Sequence, residues 1–341
     1  MAKILKCEII PYQLQFIREA KTSRDTMQFR DIWTVKLYDN FGRDGFGEIA
    51  PLKGLSRELE LDFEAKLIEV SQNISKFLEN KDLLIEYPSI LFGIESAWLS
   101  YRHRDFVFYN TPFTRSESSL PFNALVWMGD FEYMKSQVQE ILKKEVRCIK
   151  IKIGGLDFEK EIELLEYIRK YRTAKTLEIR LDANGSFSET EAMDKLNTLA
   201  PYDIHSIEQP IASNQWVAMA KLIQESPIPI ALDEELIGKN AYLDKFNLLR
   251  DLLPHYIVLK PSLHGGLRGS EEWIFIASQF NIKWWATSAL ESNIGLNVIA
   301  QWVSQHSEAY NMPQGLGTGQ LYSNNFPTHL MSVDYEMFLK K

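Results

Sequence analysis

Two lysines, Lys150 and Lys152, break the isoleucine run of "CIKIKIGG" at 148–155, where packing alone favours valine or isoleucine. Behind them come Asp182, Glu208 and Asp233, and then a further lysine, Lys260. The steps from Lys152 are 30, 26, 25 and 27 residues, each about one strand–helix unit. That spacing predicts five residues at the same level on five successive strands. Asp182, Glu208, Asp233 and Lys260 directly precede "ANG", "QP", "EE" and "PSLHGG", which puts them at the carboxyl ends of those strands, where barrel active sites lie.

Burying such charges costs several kcal/mol unless opposite charges or a metal compensate them. Three carboxylates with no histidine or cysteine in the set suit a hard cation in octahedral oxygen coordination, Mg²⁺ with Mn²⁺ as the alternative. Lysines on flanking strands would face each other across it. An ammonium close to another cation has a lowered pKa and serves as a base near neutral pH. A metal that holds a carboxylate while a lysine removes the adjacent α-proton is a coherent reaction on a small anionic carboxylate, with Lys152 and Lys260 as the candidate lysines and Asp182, Glu208 and Asp233 as the candidate metal ligands.

The elements that position these groups follow from periodicity. Read at period two, Ile149, Ile151 and Ile153, Ile179 and Leu181, Ile228, Ile230 and Leu232, and Ile257 and Leu259 form one face. In a barrel clothed with helices that face meets the helices, so the polar face, which includes Arg180 and Ser206 beside the lysines and carboxylates, points inward. Seven strand units recur from "PFNALVWMG" to "IKWWATSAL", with helical patterns between them. One of these carries the stripe Phe158, Ile162, Leu165 and Ile168, and another opens on the capping-box pair Ser188 and Glu191. The alternation predicts an α/β fold, a TIM-type (β/α) barrel of eight units over 119–311.

Ahead of it, residues 1–118 read as an α+β capping domain: a first strand, a hairpin in "DIWTVKLYDNFGRDGFGEIAP", then helical patterns over 56–79 and 89–104. The stretch "NTPFTRSESSLPF" reads as a linker, and the C-terminal segment 312–341 is expected to complete the capping domain. At 341 residues the chain suits two domains or one barrel with an appendage. No stretch approaches the roughly 18 apolar residues of a membrane span, and a net charge of -8 offers no general basic surface for nucleic acid. Cys7 and Cys148 stand alone and far apart, which argues against disulfides or zinc and for a reducing cytoplasm. A homo-oligomer is compatible with all of this.

Lys150 and Lys152, Asp182 to Gly185 (Asp-x-Asn-Gly), Glu208 to Pro210 (Glu-Gln-Pro), Asp233 with Glu234, and Lys260 to Ser262 (Lys-Pro-Ser), in this order, resemble the enolase superfamily, muconate-lactonizing subgroup. The resemblance covers the whole chain, because that family also carries an N-terminal capping domain. It implies that Lys152 abstracts the α-proton, that Mg²⁺ on Asp182, Glu208 and Asp233 stabilises an enediolate, and that Lys260 faces the intermediate from the other side. Within the subgroup, "KPSLHGGL" at 260–267, "SALESNIG" at 288–295 and "GLGTGQLY" at 315–322 resemble the o-succinylbenzoate synthases. That likeness implies a lyase of menaquinone biosynthesis. Its reaction is the syn dehydration of 2-succinyl-6-hydroxy-2,4-cyclohexadiene-1-carboxylate to 2-succinylbenzoate.

The same lysine pair would serve an N-succinylamino acid racemase or a dipeptide epimerase. The epimerases of the subgroup carry Asp-x-Asp at the last barrel strand, where this chain reads Gly315-Leu316-Gly317-Thr318. From another class, a catalytically silent Mg²⁺-binding scaffold is the alternative, against which the intact lysine pair speaks. Lys150 reads as a carboxylate partner or substrate-orienting charge. Asn184 and Gln209 read either as turn formers or as donors to the metal shell, and Glu234 and Glu235 as helix caps or support around the metal. Ser262, Ser288, Gly315, Gly317 and Thr318 are candidate donors to the succinyl carboxylate. Arg30, in "KTSRDTMQFRD", reads as a surface arginine or as one that closes over an anionic substrate. His205 falls on the outward face, His264 shapes a loop or touches substrate, and Trp33 and Trp127 are possible pocket walls.

Overall fold

Alternating apolar residues set the first sheet. In the computed structural model, which describes residues 5–21, 26–103 and 106–340, strands β1 (Leu5–Lys21), β2 (Thr26–Asp39) and β3 (Asp44–Ile49) form an antiparallel meander. Residues 22–25 of the "KTSRDTMQFRD" segment lie outside the described residues. Val35, Leu37 and Ile49 turn to one face and pack on the helices α1 (Phe63–Gln72), α2 (Ile74–Glu79) and α3 (Pro88–His103). Contact between β3 and α3 is close because it is made at glycines: a Cβ on Gly47 would lie 2.2 Å from the Gly93 carbonyl oxygen. The helical pattern expected over 56–79 is broken at Asn73, whose side-chain amide donates to the Glu69 carbonyl at 3.1 Å and competes with continued helix.

After β4 (Leu120–Pro121) the chain alternates strand and helix. The units are β5 (Ala124–Val126), α4 (Phe131–Leu142), β6 (Cys148–Lys152), α5 (Phe158–Tyr171), β7 (Glu178–Asp182) and α6 (Ala192–Leu199). They continue as β8 (Ser206–Glu208), α7 (Trp216–Glu225), β9 (Ile230–Leu232), α8 (Tyr242–Leu252), β10 (Tyr256–Leu259), α9 (Gly266–Gln279), β11 (Lys283–Ala286) and α10 (Asn293–Val303). Strands β5 to β11 pair in parallel and in chain order. An eighth contact closes the ring: Gln314 bridges Phe122 and Gly315 bridges Thr287, both in parallel.

The main core lies between sheet and helices. Ile149, Ile151, Ile179, Leu181, Ile207, Ile230, Leu232, Ile257 and Leu259 meet Leu164 and Leu165 of α5, Leu248 and Leu249 of α8, and Trp273 and Ile276 of α9. The expected capping box forms, with Ser188 N donating to Glu191 Oε1 at 3.1 Å and Glu191 N to Ser188 Oγ at 3.4 Å. After residue 312 the chain runs back along β1, where Phe16 bridges Tyr322, and then folds as the hairpin β12 (Leu330–Val333) and β13 (Glu336–Leu339), which pairs with β4.

The register corrects the expectation of five residues at one level. Lys152, Asp182 and Glu208 are directly paired, but Glu208 pairs with Ala231, so Asp233 lies two residues further along its strand. Ala231 in turn pairs with Tyr256 and Leu232 with Ile257, which puts Lys260 a further two residues on. A closed barrel requires this stagger, because its strands tilt to the axis. Tilt and stagger together keep the five side chains at the same mouth.

Candidate active site

Because Ile149 and Ile151 face the helices, strand alternation turns Lys150 and Lys152 into the barrel. Lys150 Nζ donates to both Glu208 oxygens, at 2.8 and 2.6 Å, and lies 3.0 Å from Asp182 Oδ2. Lys152 Nζ donates to Asp182 Oδ2 at 3.1 Å and to Asn184 Oδ1 at 2.6 Å. Lys260 Nζ donates to Asp233 Oδ2. Three ammoniums thus offset three carboxylates, in side chains no more than 13% exposed. Lys152 and Lys260 belong to strands four steps apart in an eight-membered ring, which puts them on opposite sides of the mouth.

Burial alone would lower both Lys150 and Lys260. Asp182 and Glu208 overcome it and hold Lys150 above the ordinary lysine range, and Asp233 and Glu208 do the same for Lys260. The lowering expected of a lysine beside a metal cation concerns a different neighbourhood: the groups in contact with Lys150 and Lys260 here are carboxylates. Burial raises the carboxylates in turn; Lys150 and Lys152 outweigh it at Asp182, and Lys260 at Asp233, so both fall below their usual range. At Glu208 burial wins, reinforced by the neighbouring Asp182 charge, and its pKa rises.

Asp182, Glu208 and Asp233 make an all-oxygen donor set of the kind a hard cation takes. Asp233 Oδ1 is buried with no hydrogen-bond partner among the described residues, and Lys150 lies between two of the carboxylates as a cation would. As they stand the three do not converge: among the described residues no three His, Cys, Asp or Glu side chains are close enough to hold one ion. Lys150 and Lys260 take up the carboxylate oxygens instead. The donor chemistry fits a divalent cation, and these ammonium contacts are what such a cation would displace.

The mouth opens into a cavity of ≈ 730 Å³, lined by Lys150, Lys152, Asp182, Asn184, Glu234 and Lys260 below and by capping-sheet and loop residues above. Arg30, Ser288, Gly315, Gly317 and Thr318 also line it, as do Trp33 and Trp127. Thr318 Oγ1 is buried without a hydrogen-bond partner among the described residues. Asn184, at φ 45, holds Lys152 with its Oδ1 and donates to Glu234 Oε1 at 3.0 Å. Gln209 does not reach the cavity; its Oε1 accepts from the Asp233 and Glu235 amides at 3.3 Å each, which ties the ends of β8 and β9 together. Glu235 caps elsewhere, accepting from Asn214 N and Trp216 Nε1.

Arg30 is no surface residue. It is 4% exposed and donates to the carbonyls of Ala50, Pro51 and Ala289, clipping the capping sheet to a barrel loop. Ser262 and Ser288 both donate to Glu291, so their hydroxyl hydrogens are already engaged. His264 Nδ1 accepts from the Lys260 amide at 3.0 Å and shapes the loop. His205, expected on the outward face, instead bonds Ser206 and Tyr256 at the amino end of the barrel, with its ring edge-on to Trp285.

Sequence reading missed three supporting carboxylates. Glu161 accepts from the amides of Gly154, Gly155 and Leu156 and fixes the loop after Lys152. Glu48 and Glu95, both in the capping unit, accept from the amides of Ser292 and Gly295 and of Leu267. Each thereby docks on the first turn of a barrel helix, where carboxylates are favoured. The signal lay in their burial: a glutamate within an apolar strand or helix face needs a partner.

Two family models match the chain: MenC, N-terminal domain, over residues 6–101, and Enolase C-terminal domain-like, over residues 133–336. The o-succinylbenzoate synthase of Desulfotalea psychrophila (strain LSv54) is 39% identical, the match covering 93% of this chain and 94% of that protein. The crystal structure of MenC from Desulfotalea psychrophila LSv54 superposes with a TM-score of 0.79 over 98% of this chain and 99% of that one, at 34% identity. The D-Ala-D/L-Ala epimerase of Cytophaga hutchinsonii is more distant, at 26% identity over 78% of this chain and 74% of that protein. The chain belongs to the o-succinylbenzoate synthase family of the enolase superfamily.

Proposed function

We propose that this enzyme carries out the syn dehydration of 2-succinyl-6-hydroxy-2,4-cyclohexadiene-1-carboxylate to 2-succinylbenzoate, with Lys152 as its acid/base and Mg²⁺ as its cation. One observation carries the residue roles: Lys152 and Lys260 stand on opposite sides of one cavity mouth, with the three buried carboxylates between them. Members of the superfamily generally bind a divalent metal. Asp182, Glu208 and Asp233 are the residues that would hold it, with Mn²⁺ as the substitute. Bound there, Mg²⁺ would supply positive charge to the substrate carboxylate whose α-carbon loses its proton.

Lys152 takes the proton from ring carbon 1, and Asn184 and Asp182 orient its Nζ for that transfer. Lys260 offers a fixed positive charge to the opposite face. The hydroxyl on carbon 6 then leaves on the same face as the proton, and Lys152 returns its proton to it as water departs. One acid/base therefore serves both steps, and the ring becomes aromatic. Thr318, Gly315 and Gly317 are proposed contacts for the succinyl arm on the far wall. Residues 1–118 with the 312–341 tail are taken as the capping domain, and 119–311 as the barrel. Two buried free cysteines, Cys7 and Cys148, are in keeping with a cytoplasmic setting.

The test is direct. Purified enzyme in Mg²⁺ buffer is given the cyclohexadiene substrate, and aromatisation is followed by ultraviolet absorbance. An N-succinylamino acid is incubated in parallel in D₂O and read for α-deuteration. Rapid aromatisation with slow deuteration is the expected result; deuteration without aromatisation would replace the synthase reading with the racemase.

A further inference from the structure

Among the described residues, five cations line the cavity: Arg30, Lys53, Lys150, Lys152 and Lys260. Four have partners within the protein. The three barrel lysines are held by carboxylates, and Arg30 by backbone carbonyls. Lys53 alone among them makes no hydrogen bond or ion pair with another described residue. It is exposed, yet its backbone is not loosely held.

The turn that carries Lys53 is pinned at both ends. Ser56 Oγ accepts from Leu52 N at 2.8 Å, and the Leu55 and Ser56 amides both donate to the Leu52 carbonyl, at 2.9 and 2.8 Å. Gly54 takes a left-handed φ of 81°, which suits the tight reversal. At the root, the buried Arg30 guanidinium holds Ala50 and Pro51 and also reaches Ala289 of the barrel. A cation without a partner among the described residues is thus presented over the cavity by a turn tied to the barrel itself. Among the acids of the lining, Asp31 accepts from Gln13, Asp182 from two lysines, and Glu234 from Asn184.

We propose that Lys53 is the specificity residue that receives the distal, succinyl carboxylate of the substrate while the ring carboxylate lies at the barrel mouth. The inference rests on the proposed dicarboxylate reaction and deepens it. A charged hydrogen bond at a partly hydrated rim gives roughly a tenfold preference, the lower end for such a bond. Lys53 thereby selects the second anionic group without taking part in the proton transfer.

The experiment compares parent enzyme, Lys53→Met and Lys53→Arg in Mg²⁺ buffer, with 2-succinylbenzoate and its analogue amidated at the succinyl carboxylate. Binding of each is measured by titration calorimetry, and turnover of the cyclohexadiene substrate by absorbance. Lys53→Met is expected to weaken 2-succinylbenzoate about tenfold and leave the amide unchanged, with KM raised and kcat kept, while Lys53→Arg restores the preference. Equal weakening of acid and amide, or no change in either, would overturn the inference. Loss of the reaction reading shows separately, as a parent enzyme that binds 2-succinylbenzoate but does not aromatise the substrate.

Discussion

At the carboxyl end of the barrel, three lysines meet three carboxylates beside a cavity, and one carboxylate oxygen, Asp233 Oδ1, has no hydrogen bond from the described residues. At the amino end a buried arginine meets a partly exposed glutamate, and the charges are differently used. Arg180, paired in register with Lys150, carries its guanidinium 4.2 Å from the Trp285 ring centre. It donates to Glu178 Oε1 at 2.6 Å and to the Pro313 carbonyl at 2.8 Å. Ala231, Val258 and Trp285 pack together between them and fill the barrel interior. The same alternation that turns lysines to the mouth turns an arginine to the floor. What separates chemistry from structure is whether the charge is left facing a cavity or is stacked and plugged.

That contrast is broken most sharply at Lys152. Lys152→Ala should lower turnover by about 10²- to 10⁴-fold, the usual contribution of a positioned acid/base, while circular dichroism and the urea midpoint stay near those of the parent. Activity that survives the change would remove Lys152 from its role. The floor should answer in the opposite way. Glu178→Gln leaves the buried Arg180 charge without its anion and should cost about 3–5 kcal/mol of stability, read by urea unfolding, with kcat little changed. The double variant Arg180→Met with Glu178→Met should recover most of that loss, because a buried ion pair exchanged for apolar groups is often near neutral. A double variant as unstable as the single one would mean that the pair contributes more than the mutual cancellation of its charges.

How much of this could be read from sequence differs along the same lines. The inward lysines, the carboxylates behind them and the strand ends were legible in "CIKIKIGG" and in the even spacing, since both depend on local periodicity. The two-residue slips at Glu208–Ala231 and Ala231–Tyr256 were not, because stagger is imposed by ring closure and not by any one strand. Arg30 was misjudged for a related reason: one of its partners, the Ala289 carbonyl, is 259 residues away. Lys53 carries no motif at all, and only the absence of a partner among the described residues beside a cavity singles it out. His205 looked outward because strand parity was extended one residue ahead of β8, to a position outside the paired strand.

His205 offers the finest test of the floor. Burial pushes its pKa down from 6.5 to about 4, so the folded protein holds it neutral. Between pH 4 and 6.5 the unfolded chain therefore binds a proton that the native state does not. Stability from this group is complete above pH 6.5 and is lost as pH falls towards 4, by roughly 3 kcal/mol at the limit. Glu48 and Glu58, raised by burial to about 7 and about 8, contribute the opposite slope, so parent and variant must be compared at each pH. His205→Gln should flatten the acid limb of the stability profile while leaving kcat at pH 7 unchanged. Parallel unfolding profiles from pH 4.5 to 7 would show that His205 is protonated in the fold, and that the floor, like the mouth, tolerates a second positive charge beside Arg180.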